Sequence, residues 1–257
     1  MKKINSPLVS VILSVYNDEK FLKKTINCLI DQIYQNIEII IINDGSNDST
    51  YDILEKYKNN YNFIKLIHNK KNVGLTKSLN LGIKKSKGKY LARQDCDDFS
   101  YKSRISKQVA FLEKNNEYAM CGTQRIIHDF RINKKYRDFL PLSFKEIRKE
   151  ALFFNPFFHS SVMIKKKIIK KVGLYNENFK YIQDLELWSR IIFKYKTANL
   201  NEILCTKYID NKRISFNKNK FLLRNFFSFK SRLNVYKNGN YSISDFFKMV
   251  FLFVKNL

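Results

Sequence analysis

The first hundred residues alternate between two hydrophobic periods. Val9 to Val15 is a nearly unbroken apolar run, the pattern of a strand covered on both faces. From Glu19 to Ile33 the apolar positions are Phe21, Leu22, Ile26, Leu29, Ile30 and Ile33, which is helical spacing. Ile37 to Ile42 is a second buried strand, broken by Asn43-Asp44-Gly45-Ser46. A helix follows from about Ser49, with Ile53, Leu54 and Tyr57 on one face and Asp48 or Ser49 as N-cap. Phe63 to Ile67 reads as a third strand. A loop containing Gly74 then leads into a helix through Leu79 and Ile83, and Lys89 to Arg93 reads as a fourth strand. Strand and helix in strict alternation predict a parallel, doubly wound sheet.

Beyond Tyr101 the alternation weakens. Ile105, Val109 and Leu112 mark a helix, Tyr118–Thr123 and Ser161–Ile164 suggest short strands, and Asp184 to Lys194 a helix with Leu187, Trp188, Ile191 and Ile192 inward. Residues 212–257 differ in kind. They hold ten basic residues against one acid, Asp245, and nine of the 22 phenylalanines, in a helical pattern. The expected organisation is one domain over 1–210, with a nucleotide-binding half (1–100) and an acceptor half (101–210), followed by a basic, aromatic helical segment over 211–257.

Composition narrows the class. In 257 residues, 44% are hydrophobic and 15% aromatic, enough for a sizeable core and too much for a disordered chain. The net charge of +25 allows nucleic acid or an anionic membrane as partner. Cys28, Cys96, Cys121 and Cys205 form no C-x-x-C pair, and only three histidines are present, which argues against zinc fingers and for reduced thiols. No G-x-G-x-x-G, P-loop or G-x-S-x-G motif occurs.

In an open parallel sheet, ligands bind beyond the carboxyl ends of the strands. Three polar clusters stand at such ends: Ser14-Val15-Tyr16-Asn17-Asp18, Asn43-Asp44-Gly45-Ser46-Asn47-Asp48 and Arg93-Gln94-Asp95-Cys96-Asp97-Asp98. If the third is extended, Asp95 and Asp97 point the same way. Two neighbouring carboxylates repel unless a cation lies between them, and hard oxygen donors suit Mg²⁺ or Mn²⁺ completed by substrate phosphates.

Six ordered segments, VSVILSVYN (9–17), IIINDGSNDST (40–50), NVGLTKSLNLGI (72–83), GKYLARQDCDD (88–98), NPFFHSSVM (155–163) and YIQDLELWSR (181–190), resemble the family 2 glycosyltransferases of the GT-A fold over roughly residues 6–210. The resemblance implies an α/β fold with a mostly parallel central sheet flanked by helices. It implies transfer of a hexosyl or N-acetylhexosaminyl group from a nucleotide-diphosphate sugar, usually a UDP- or dTDP-sugar and here expected to be a UDP-sugar, with inversion at the anomeric carbon. The acceptor would be a hydroxyl of a growing bacterial surface glycan such as capsule or lipopolysaccharide, free or lipid-linked.

Residue by residue, the resemblance places Ser14, Tyr16 and Asn17 along the nucleotide site and Asp44 on the pyrimidine ring. It makes Asp95 and Asp97 the D-x-D pair, with Asp95 on the ribose and metal and Asp97 the metal ligand proper. Asp184 becomes the general base that takes the acceptor's proton. Lys77 and Arg93 are candidate diphosphate partners. His159, Gln183, Glu186 and Trp188 are candidate acceptor or phosphate contacts, Trp188 being equally a core residue and Glu186 a structural one. Two positions depart from the family pattern: Leu79 stands where an Arg is common, and Gln183 where a Glu is common.

The tail adds a location. Lys212, Lys218, Lys220, Arg224, Lys230 and Arg232 interleave with Phe216, Phe221, Phe226, Phe227 and Phe229, a composition suited either to an anionic membrane surface or to packing on the catalytic domain or a second subunit. With no signal peptide and no membrane-spanning run, the expected location is cytoplasmic, peripheral at the inner face of the membrane. A nucleic-acid-binding role finds no reader motif, and acidic clusters at the strand ends would repel phosphates without a metal, so no nucleic acid is expected. An inactive sugar-nucleotide-binding domain is disfavoured by the intact Asp95, Asp97 and Asp184.

Overall fold

The computed structural model describes residues 6–210 and 221–255. Strands β1 (Val9–Val15), β2 (Ile37–Asn43), β3 (Ile64–His68) and β4 (Tyr90–Asp95) are parallel in the order β3-β2-β1-β4. Helices α1 (Glu19–Ile30), α2 (Thr50–Asn60) and α3 (Leu75–Lys85) make the crossovers. The unbroken apolar runs are explained by cover on both faces. Val9, Val11, Leu13, Ile39 and Ile41 pack with Leu22, Ile26, Leu29 and Leu54 of α1 and α2, while Ile12, Ile40, Ile42 and Leu91 pack with Leu79 and Ile83 of α3.

The rest of the sheet is mixed. β5 (Asp98–Ser100), β6 (Tyr118–Asp129), β7 (Lys134–Asp138), β8 (Met163–Lys165) and β9 (Lys196–Ile209) extend it as β4-β8-β6-β9-β5, with β7 paired to β6. β8 runs antiparallel to β4 and β6, whereas β6 and β9 run parallel. The expected strands at Tyr118 and Ser161 are present with shifted ends. The fourteen-residue β9 has no counterpart in the sequence reading. Its alternation is broken by bulges and by buried polar residues such as Asn199, which donates to the carbonyls of Pro141 (2.7 Å) and Pro156 (2.9 Å). Helices α4 (Arg104–Lys114), α5 (Phe144–Glu150), α6 (Lys166–Val172) and α7 (Gln183–Ile191) complete the body.

The C-terminal helices α8 (Phe221–Asn238) and α9 (Ile243–Lys255) are built into this body. Val235 and Met249 share one hydrophobic cluster with Trp188, Leu187 and Ile168. Of the tail residues singled out above, Lys212, Phe216, Lys218 and Lys220 lie outside the described residues.

A buried carboxylate locks the amino end of the sheet. Glu38 accepts from the Ser10 hydroxyl (2.6 Å) and the Lys87 amide (2.6 Å) and pairs with Lys65. Burial pushes its carboxyl up, but the bonds from Lys65, Ser10 and Lys87 outweigh that and hold it below its ordinary 4.5. The unfolded chain then binds this proton more readily, so the contribution is complete above about pH 4.5 and lost as pH falls through the folded value. Glu38→Gln is expected to cost about 1–3 kcal/mol near neutral pH. The gap should narrow below pH 4, as read by thermal melts at both values.

Candidate active site at the carboxyl ends of the parallel strands

Strand register brings the three polar clusters to one level. Val15 pairs with Asn43 and Ser14 with Asp95 across adjacent strands. Strand order reverses between β1 and β4, and that switch point is where an α/β sheet opens a crevice. Ser14 is half-buried there, Tyr16 is exposed, and Asn17 takes a left-handed φ of 49°.

The first two clusters knit together. The Asn17 amide donates to Ser46 Oγ (3.0 Å), and Asn17 Oδ1 accepts from the Asn47 amide (2.9 Å). Asp48 and Glu19 exchange caps: Asp48 accepts from the Glu19 amide (3.2 Å) and Glu19 from the Ser49 amide (2.9 Å). Gly45 sits at φ +74°, and a Cβ there would lie 2.5 Å from the Lys71 carbonyl carbon, so only glycine serves.

Asp44 is buried and already engaged. It accepts from Asn69 Nδ2 (2.7 Å), the Val73 amide (3.0 Å) and the Gly74 amide (2.9 Å). These bonds pin the loop that starts α3. A carboxylate offers about four acceptor positions, which leaves one for a ligand.

The third cluster corrects the extended-strand argument. Asp95 ends β4, Cys96 and Asp97 form a two-residue turn, and Asp98 begins β5. Asp97 is therefore half-buried on a turn, and strand alternation does not align it with Asp95. Asp95 pairs with Arg93, while Ser160 Oγ lies 2.8 Å from Asp95 Oδ2 and accepts from the Asp95 amide at 3.0 Å. Arg93 is buried and also donates to the Ile12 carbonyl (3.2 Å). It acts here as the counter-ion of Asp95. Lys77 is exposed on α3, and Leu79 is fully buried in the core.

His159 faces this cluster from a single 3₁₀ turn, His159–Ser161. Its Nδ1 lies 3.6 Å from Asp95 Oδ2 and its Nε2 lies 2.8 Å from the Tyr175 hydroxyl. Burial, with Arg93 adding to it, pushes the imidazole below its ordinary value against the pull of Asp95 and Asp184. Burial raises the Tyr175 phenol, which stays protonated. A neutral ring with one donor and one acceptor fits both neighbours: Tyr175 donates to Nε2, and Nδ1–H faces Asp95.

Asp184 occupies the first turn of α7, entered through Ile182 at φ 56°. Asn155 Nδ2 donates to its Oδ2 at 2.5 Å. Asp95 lies 3.6 Å from the His159 ring, and the charges of both Asp95 and Asp184 act on His159 and Tyr175. The other α7 candidates have inward duties. Glu186 is buried and holds Arg190 through both oxygens (3.0 and 2.9 Å). Trp188 is buried beside Phe157 and His159, and Gln183 is also buried. Glu186 and Trp188 thus serve the packing of α7.

Several contributors escaped the sequence reading. Ser160 and Asn155 stand in the segment that carries His159, which was their only signal; Tyr175 had none. Arg104, fully buried, joins the cluster from beneath by donating to Gln94 Oε1 (3.1 Å), Ser100 Oγ (2.8 Å), the Arg93 carbonyl (3.1 Å) and the Ser160 carbonyl. The four cysteines are free and buried, and burial pushes Cys28 up to about 11 and Cys121 to about 12, so these two stay protonated thiols.

Among the described residues, no three His, Cys, Asp or Glu side chains converge into a metal cage. The donor set on the β4–β5 turn, Asp97 with Asp95, instead fits a hard cation of the kind held by one or two carboxylates and completed by substrate phosphates.

A model described as glycosyl transferase family 2 matches residues 10–173. The chain is 30% identical over 220 residues to the Escherichia coli UDP-Glc:alpha-D-GlcNAc-diphosphoundecaprenol beta-1,3-glucosyltransferase WfaP, covering 84% of this chain and 83% of that one. It spans 65% and 72% of the length of the curated relatives it matches first. Its fold is similar to residues 1–349 of S. aureus TarS in complex with UDP-GlcNAc (TM-score 0.73, 16% identity, 96% of this chain and 72% of that one). It is also similar to the Pyrobaculum calidifontis mannosyltransferase PcManGT in complex with GDP-Man and Mn²⁺ (TM-score 0.72, 12% identity, 98% and 70%).

Proposed function

The chain belongs to glycosyl transferase family 2 and has the GT-A fold, and from that premise we propose that it is an inverting transferase. It would move a sugar from a UDP-sugar to a hydroxyl of a surface glycan, free or lipid-linked. The observation that carries this reading is that Asp95, at the end of β4, and Asp184, on the first turn of α7, both act electrostatically on His159 and Tyr175, with Asp95 Oδ2 3.6 Å from His159 Nδ1; we take Asp95 as the donor-side and Asp184 as the acceptor-side carboxylate. The similarity to WfaP, named for a UDP-sugar donor and a diphospholipid-linked acceptor, supports both substrate classes.

In this reading the nucleotide lies along the ends of β1, β2 and β4, with Ser14, Tyr16 and Asn17 beside it and one acceptor of Asp44 on the base. Asp95, held by Arg93 and Ser160, meets the ribose. The acceptor oxygen attacks the anomeric carbon as its proton passes to Asp184, and the bond to the diphosphate breaks with its electron pair leaving on the nucleotide. Asn155 orients the base. Asp97, with Asp95, would hold Mn²⁺ or Mg²⁺, which when bound offsets charge building on the leaving diphosphate.

The test is hydrolysis and transfer from UDP-sugars with Mn²⁺, with the donor first found by a thermal-shift screen of nucleotide sugars. Asp97→Ala is expected to lower Mn²⁺-dependent turnover at least about 100-fold, as chelation does in the parent. Retained turnover in that variant would remove Asp97 from the metal site. No shift with any nucleotide sugar would overturn the donor class.

A further inference from the structure

The geometry points to α9 as a membrane-docking helix whose outer face lies on an anionic bilayer. This inference stands apart from the reaction proposed above. α9 is apolar nearly all round. Phe246, Met249, Val250 and Phe253 face the body, where Phe246 meets Tyr236 (5.1 Å) and Phe253 meets Phe229 (5.0 Å). Its opposite face is a stripe at helical spacing, Ile243, Phe247, Phe251 and Val254, each 60–73% exposed. A helix with two apolar faces requires a second apolar neighbour.

Length and charge identify that neighbour. Thirteen residues span about 20 Å, short of the ~30 Å hydrocarbon core, so the helix lies on a bilayer instead of crossing it. Among the described residues, no helix is long and apolar enough to cross a membrane. Residues 212–257 carry a net charge of +9 and the whole chain +25. Two copies meeting through this face would bring like charges together, whereas anionic headgroups would complement them. Lys248 is exposed and flanks the stripe. The α8–α9 pair is antiparallel, with Phe229 on Phe253 and Tyr236 on Phe246, and α8 leaves Leu222 and Phe226 exposed as well.

The structure redistributes the basic and aromatic residues that suggested membrane contact. Phe227 packs on Phe179 (5.4 Å), Lys230 lies over the same ring (5.2 Å), and Arg232 donates to the Leu152 carbonyl (2.6 Å). These belong to domain packing. Phe227 and Lys230 on Phe179 fasten α8 to the loop that precedes Asp184, so docking through α9 would hold the candidate acceptor side near the lipid surface.

The experiment is flotation of the full chain with phosphatidylcholine vesicles and with vesicles containing phosphatidylglycerol. The chain should float with the anionic vesicles alone. Phe247→Ser with Phe251→Ser should cut the bound fraction about tenfold with no change in melting temperature, since both rings lie outside the core. In a second variant, Phe251→Trp, the introduced indole should shift to the blue on anionic vesicles, whereas the native Trp188 is already buried. Failure to float, or equal flotation of the double Ser variant, overturns the inference. So does a dimer in size-exclusion chromatography that the double variant dissolves, which would assign the face to a second copy.

Discussion

Asp184→Asn is expected to lower the rate of sugar transfer about 10²–10⁴-fold while leaving donor affinity within about twofold. The amide is isosteric with the carboxylate and its oxygen can still accept from Asn155, so the first turn of α7 keeps its geometry. What disappears is the capacity to take a proton from the acceptor hydroxyl. In the proposed reading the donor is held across the crevice, by the ends of β1, β2 and β4, so its affinity should survive. Single-turnover transfer paired with calorimetric titration of the UDP-sugar separates the two quantities. Parallel loss of both would make Asp184 a structural residue of the helix start.

Trp188→Ala should be among the most damaging core changes, at about 3–5 kcal/mol. Its ring is buried against Phe157 (5.7 Å) and in a cluster that runs from α3 to α9. At this chain length each kcal/mol lowers the melting temperature by roughly 2–4 °C. Trp188→Phe should cost less than about 2 kcal/mol, because the indole Nε1 has no hydrogen-bond partner among the described residues and only volume is lost. Circular dichroism melts of the two variants test this contrast. Equal losses would mean that the nitrogen has a role the packing does not reveal.

Local pattern made the parallel half of the sheet legible. Strands buried on both faces must be apolar throughout, so β1 and β2 announced themselves, and the polar residues that interrupt them marked the crevice. The second half obeys a different economy of contacts. β9 carries buried Thr197 and Asn199, and Asn199 finds its partners at Pro141 and Pro156, far back along the chain, so its periodicity is blurred. The same distinction separates the site residues. Asp44, Asp95 and Asp184 stand in short polar clusters that a linear reading can find. Ser160 against Asp95, from 65 positions away, follows only once β4 and the 159–161 turn are side by side, whereas Arg93 stands two residues from Asp95 on the same face of one strand. Asp97 shows the limit most directly, because a two-residue turn replaced the extended geometry on which its alignment with Asp95 was argued.

The engagement of Asp44 bears on how such an enzyme can change its donor. Three of its acceptor positions already hold the 69–74 loop, so under its proposed role on the base a substitution there would alter nucleotide preference and unfasten α3 in the same stroke. Tyr16 and Lys77 are exposed and carry no comparable duty. Drift towards a new donor has least to break at those two positions, and a laboratory search for altered specificity should randomise them first while leaving Asp44 fixed.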